Sequence, residues 1–284
     1  MNLRPCDYES LWTIASSVSR SGIGLHTGNF SEVRLLPTDI YGVHVSWTGS
    51  KDAPIPLQIG QVRESKLCTS LQIGKKKLIT VEHLLAAIAG CGLTHIHIQV
   101  SGEEIPLLDG SSLEWVKAIN EAGFVQIKSS NRRSINLTNP LALNRGESVI
   151  TAIPAKKFKV IGIIDFPYKA IGRQMLEVEL TPELFEREIA PARTFGFKDQ
   201  IDMLINSGLI KGGALDNALV CDGDQWINPP LRFNDEPIRH KILDLIGDLS
   251  LVGFPKAQIL VYKGSHGLHT DMALELSKYS TTTE

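Results

Sequence analysis

The chain has 284 residues, 43% of them hydrophobic and 21% charged, with a formal net charge of −2. That size suits one large domain or two ordinary ones, and the composition is that of a globular protein. The near-neutral charge supplies no basic field to wrap a nucleic acid, so no nucleic-acid partner is expected.

In chain order, residues 21–28 (SGIGLHTG) are glycine-rich but match neither GxGxxG nor a P-loop, and read as a strand-to-strand turn. Strand-like runs fall at 33–36, 43–47 and 96–100. Lys75, Lys76 and Lys77 read as a solvated turn. Residues 80–89 read as a helix, with Thr80 capping its start and Gly90 and Gly92 ending it. The alternation through THIH, 94–97, puts Ile96 and Ile98 in the core and His95 and His97 on a wet face. LDGSS, 108–112, reads as a helix-entry turn in which Asp109 or Ser111 caps a helix running to Gly123. The polar segment 128–133 reads as a linker, which divides the chain into domains 1–130 and 131–284. Beyond it, strands are expected at 141–143, 148–154, 160–166 and 258–262, and helices near 197–207, 238–251 and 270–277. The pattern describes two α+β halves of similar size.

The chemistry concentrates in RHKILDLIGDL, 239–249, where His240, Asp244 and Asp248 stand four residues apart. Each such step turns a helix by about 40°, so the three side chains share one face. Burying them for packing alone is costly, although i,i+4 His/Asp pairs also line solvated helix faces. A catalytic zinc takes three protein ligands and keeps a place for water; His83, His240 and Asp244 supply such a set from both halves. Glu82 adjoins His83 and suits a general base, or equally an acid favoured by a helix N-terminus. His266, flanked by Gly264, Ser265 and Gly267, suits a general acid or an oxyanion stabiliser, with Asp248 to orient it. PARTFGF, 191–197, offers Thr194 as a hydrogen-bond donor and Phe195 and Phe197 as an apolar lining; a tight turn with two core aromatics is the plainer reading.

Eight motifs in order, SGIGLHTG, LCTSL, TVEHLLAA, EIPLLDGSS, PARTFGF, KGGALDNALV, RHKILDLIGDL and KGSHGL, make the chain resemble the UDP-3-O-acyl-N-acetylglucosamine deacetylases from about residue 13 to 277. The resemblance implies zinc-dependent hydrolysis of the 2-acetamido group of an acylated UDP-sugar, which commits the lipid A pathway. It implies one Zn2+ per chain on His83, His240 and Asp244, a ligand set that also accepts Fe2+. It further implies Glu82 as base, His266 as catalytic histidine with Asp248 behind it, Thr194 at the oxyanion, and Lys241 and Phe195 on the substrate. The implied fold is α+β, two similar domains, each a sheet packed by helices, forming a layered sandwich. An insert near 196–220 would form an acyl-chain passage walled by Ile201, Leu204, Leu209 and Leu215. Ser265 and His269 depart from the usual Gly and Asn of the histidine loop. A bell-shaped pH profile is expected.

Cys6, Cys68, Cys91 and Cys221 stand far apart without a CxxC pair, which favours a reducing compartment over a disulfide framework. No apolar run approaches the ~18 residues that span a bilayer, and the first ten residues lack a signal core. A cytoplasmic protein that is not integral to a membrane is expected. No feature demands a partner chain, so a monomer is expected.

Overall fold

A computed structural model describes residues 3–128 and 132–283. It is α+β, with two five-stranded sheets of identical order. In the first, Val18–Ile23 pairs with Phe30–Leu36, which pairs with His95–Val100; that strand runs parallel to Gly42–Trp47, and Ile55–Pro56 completes the edge. In the second, Leu141–Arg145, Ser148–Pro154, Ala257–Tyr262, Lys159–Asp165 and Arg173–Glu179 repeat that order and those directions. The expected boundary between residues 130 and 131 lies outside the described residues.

Each half also places its helices alike. One helix precedes the last sheet strand and one follows it: Glu82–Gly90 and Leu113–Ala122 in the first half, Glu236–Ser250 and His266–Ser277 in the second. Each half carries a three-stranded insert between its fourth sheet strand and its first long helix. The helices meet between the two sheets, with Glu82–Gly90 packed on Glu236–Ser250, which gives the layered sandwich. Strand alternation follows burial: Val33 and Leu35 in Phe30–Leu36, and Ala257, Ile259 and Val261 in Ala257–Tyr262, enter a core continuous across both halves.

The Glu236–Ser250 helix has hardly any wet face, because both neighbouring layers cover it. Ile238, Ile242, Leu243, Leu245, Ile246 and Leu249 are buried, and so are His240, Asp244 and Asp248. It crosses Glu82–Gly90 at Gly247, where an added Cβ would run into the Glu82 carbonyl.

Several local expectations change. Thr80 does not cap the Glu82–Gly90 helix: its φ is 58° and its hydroxyl donates to Glu104 Oε1 at 2.8 Å. The last helix begins at His266, four residues earlier than expected, because the Ser265 hydroxyl accepts from the Leu268 N–H. His95 is buried, bonded to Thr94 Oγ1 at 2.8 Å and set edge-on to Tyr41. Ser280–Thr283 pairs with Arg132–Ile135, a ladder that no periodicity announced.

Gly247→Ala is expected to lower stability by about 1–3 kcal/mol through overpacking. Gly60, where a Cβ would meet nothing within 4 Å, serves as the control. Equal denaturant midpoints for G247A and G60A would contradict the close crossing.

Candidate active site

The crossing brings together His83 with His240 and Asp244, residues far apart in the chain. The His83 Nε2 and His240 Nε2 atoms stand 3.7 and 3.4 Å from Asp244 Oδ1, and the two rings lie edge to face with centroids 5.0 Å apart. All three side chains are buried, and one potential ligand atom from each lies within 4.8 Å of the other two. His240 Nδ1 donates to the Ala192 carbonyl at 3.1 Å, which leaves Nε2 as a lone pair. Burial is the largest cause pushing His83 down to about 3, with His240 adding to it. Burial lowers His240 as well, against the pull of Asp244. Both rings are therefore neutral near pH 7.

Burial would raise Asp244, but Lys241 and then the histidines outweigh it and hold the carboxyl well below its ordinary range. Lys241 Nζ lies 3.0 Å from Asp244 Oδ2, whereas the buried Oδ1 has no hydrogen-bond partner among the described residues. An ionised oxygen thus faces the His240 lone pair and a neutral His83 ring whose Nδ1 has no hydrogen-bond partner among the described residues. Such an arrangement is repulsive without a cation between the atoms. The donor set of two nitrogens and one oxygen fits zinc.

Beside this cluster, Glu82 is buried and its pKa is pushed up to about 7: burial leads, His266 opposes, and Asp248 and Asp244 add to the rise. Its Oε2 accepts the Thr69 N–H at 2.9 Å, and its Oε1 lies 4.0 Å from His266 Nε2. His266 Nδ1 is 3.0 Å from Asp248 Oδ2. Burial would lower His266, but Asp248, then Glu82 and Asp244, override it and push the pKa up to about 9.

These groups, Asp248 excepted, line one cavity of about 890 Å3, together with Thr194, Phe195, Lys241, Ile201, Leu204 and Leu215. Leu209 is not on its wall, and Ile210 is. Thr194 is held by its backbone, its N–H donating to the Gly110 carbonyl at 2.7 Å and its carbonyl accepting from Leu219 at 2.8 Å. Lys241 Nζ stands 5.7 Å from the centre of the Phe195 ring. Eight of the nine candidate residues therefore line one space, with Asp248 set behind His266. His95 and His97 lie elsewhere, on the first sheet.

One participant, Thr69, escaped the sequence reading, and another, His269, was read only as a departure in the histidine loop. Thr69, in LCTSL, gives its N–H to Glu82 and its hydroxyl to Asp248 Oδ1. His269 donates to the same carboxylate as His266, at 2.9 Å. Nothing local marks Thr69, whereas the three-residue spacing from His266 to His269 was a usable sign once a helix start was placed at Ser265.

Residues 12–278 match the model of a family described as UDP-3-O-acyl N-acetylglycosamine deacetylase. The chain is 48% identical to the UDP-3-O-acyl-N-acetylglucosamine deacetylase of Trichormus variabilis, over 92% of this chain and 96% of that protein. It is 44% identical to the like-named protein of Synechocystis sp., over 93% and 98%. It is 40% identical to the Arabidopsis thaliana protein named probable UDP-3-O-acyl-N-acetylglucosamine deacetylase 1, mitochondrial, over 93% and 87%.

Thr69→Val removes the hydroxyl on Asp248 and keeps the N–H on Glu82. Leaving a buried carboxylate oxygen unpaired is expected to cost about 1–3 kcal/mol of stability. A denaturant midpoint equal to the parent's would show that the hydroxyl contributes nothing.

Proposed function

Because the chain belongs to the UDP-3-O-acyl N-acetylglycosamine deacetylase family, we propose that it hydrolyses the 2-acetamido group of UDP-3-O-acyl-N-acetylglucosamine, releasing acetate and the free amine, as a step of lipid A biosynthesis. The observation that carries this reading is the meeting of Glu82 and His83 from one helix with His240, Asp244 and Asp248 from the equivalent helix, opposite His266 across one cavity.

His83, His240 and Asp244 would hold one Zn2+ per chain. Bound there, the ion would act as a Lewis acid on the amide and make a water more acidic. Glu82 takes the proton of the attacking water, and its raised pKa suits a base that must later give that proton up. The carbonyl oxygen gains negative charge as the carbon becomes tetrahedral. The Thr194 hydroxyl and the charged His266 ring stabilise it; one such donor is typically worth on the order of 2.7–4 kcal/mol. Asp248 keeps His266 charged and turned toward the cavity. Lys241 and Phe195 bind the UDP-sugar, and the wall of Ile201, Leu204 and Leu215 takes the acyl chain.

No described helix is long and apolar enough to cross a membrane. The four cysteines are free, three of them buried. We propose a cytoplasmic site of action, with which the free cysteines are in keeping, and a monomer.

Acetate release from the UDP-linked substrate, followed with metal content, tests the reading. His240→Ala is expected to lose stoichiometric zinc; a chain that still binds one equivalent as tightly as the parent refutes the ligand set. Glu82→Gln is expected to keep zinc and lose on the order of 10²–10⁴ in kcat. Near-normal turnover would remove Glu82 from the base role. His266 carries its charge only below its raised pKa, so kcat should fall as pH rises through about 9 or lower, since a nearby divalent cation depresses that limb. A kcat flat from pH 7 to 10 would exclude a charged His266.

A further inference from the structure

Asp248 accepts more donors than the orientation of one histidine needs. Its Oδ2 stands 3.0 Å from His266 Nδ1 and 2.9 Å from His269 Nδ1, while its Oδ1 accepts the Thr69 hydroxyl. Asp248 and His269 are buried, whereas His266 lines the cavity. Ser265 arranges this meeting. Its hydroxyl starts the helix at His266, so two rings three residues apart lie on one face and reach one acceptor. Gly264 leaves the space for the inner ring: a Cβ there would stand 2.5 Å from His269 Nε2.

The two rings cannot carry charge equally. Two imidazolium ions on one carboxylate would bury an uncompensated positive charge. As a cation, His269 would also point an Nε2–H at no acceptor, because that nitrogen has no hydrogen-bond partner among the described residues. His269 is therefore the neutral member, with Nδ1–H on Asp248 and Nε2 bare. Burial, its largest influence, lowers its pKa against the pull of Asp248, in keeping with that assignment. The charged and titratable groups around His266 include Asp248, Asp244 and His240 from one helix, Glu82 and His83 from another, His26 from the glycine-rich turn, His269 from its own helix, and the Arg145–Asp271 ion pair beside Gly267. Of these, only His269 shares the acceptor atom.

We propose that His269 is a positioning residue for His266: its neutral Nδ1–H fixes the Asp248 carboxylate and draws off part of the charge at Oδ2, so that two donors rather than one set how firmly His266 holds its proton. The inference rests on the charged role of His266 proposed above.

The test uses the full chain loaded with zinc, in the parent, H269N and H269L. The His266 ring titration is followed by NMR of 15N-histidine-labelled protein, beside the pH profile of acetate release. H269L removes a donor, leaves more charge on Asp248 and should raise both the His266 titration and the alkaline limb by about one pH unit. H269N keeps a donor and should restore values near the parent's. If H269L does not fold, H269M, whose flexible side chain fills the same space, provides the reading. An unmoved His266 titration in the apolar variant overturns the proposal, as does an H269N shift as large as that of H269L. The ring titration needs no turnover. A shift seen in a protein that releases no acetate would support the positioning role and refute the deacetylase reading instead.

Discussion

The site depends on how closely two helices cross. Glu236–Ser250 approaches Glu82–Gly90 through Gly247, whose missing Cβ is replaced by the Glu82 carbonyl. That contact sets the distance between the His83 and His240 rings, and it lets Asp244 reach both of them. The Ser112 hydroxyl fastens the same turn from the other side by donating to the His83 carbonyl at 2.7 Å. The two helices hold equivalent places in two halves of the same sheet order, so the reacting groups come from a repeated framework. Neither half has a working set alone. The first gives Glu82 and one imidazole, and the second gives an imidazole, two carboxylates and His266.

Close packing also concentrates charge, and the surroundings separate the carboxylates into different roles. Glu82, Asp244 and Asp248 are all buried within one region. Lys241 and the histidines keep Asp244 ionised, and His266 with His269 does the same for Asp248. Glu82 has the remote His266 as its leading counter-charge, so burial and its acidic neighbours prevail. Two carboxylates are held as fixed anions and the third titrates near neutrality, a division that assigns acid–base work to the third. The Lys241 ammonium and the His266 imidazolium balance the two fixed anions, so an ionised Glu82 would leave one net negative charge, and Asp244 Oδ1 faces the His240 lone pair. A divalent cation would answer both.

Much of this was legible because helical periodicity is exact over short spans. His240, Asp244 and Asp248 follow each other at four-residue steps, and Glu82 and His83 adjoin inside an apolar run. The sheet strands at 33–36, 43–47 and 96–100 lie inside the observed Phe30–Leu36, Gly42–Trp47 and His95–Val100. What escaped depends on contacts across the fold. Thr80 has the composition of a cap, but Glu104, distant in sequence, takes its hydroxyl and a positive φ takes its backbone. His95 sits at a position that alternation makes wet, and Tyr41 covers it. Thr69 matters only because Asp248, 179 residues away, lies beside it. The start of the last helix was hidden by its glycines, which discourage a helical reading that one serine cap restores.

The glycine-rich turn 24–29 shows how the cavity wall is registered against the chemistry. Glu104 accepts from the His26 N–H, the Thr27 N–H and hydroxyl, and the Thr80 hydroxyl, at 2.6–2.8 Å. One buried carboxylate thereby ties that turn to the residues that open the Glu82–Gly90 helix. From the opposite half, Gly212 donates to the Leu25 carbonyl at 2.9 Å, and a Cβ on Gly212 would collide with the Gly24 carbonyl. Glycine at 212 allows that approach, whereas the missing Cβ of Gly24 makes room for the Glu104 carboxylate. The second insert, which supplies Ile201, Leu204 and Leu215 to the cavity, is thus fixed through Leu25, Glu104 and Thr80 to the turn that carries Glu82. An acyl chain seated on that wall would be positioned relative to Glu82 by one backbone hydrogen bond, Gly212 to Leu25, and by the bonds of the Glu104 carboxylate. Depth along the wall would then translate into position beside Glu82, which would couple chain length to the proposed chemistry through one frame.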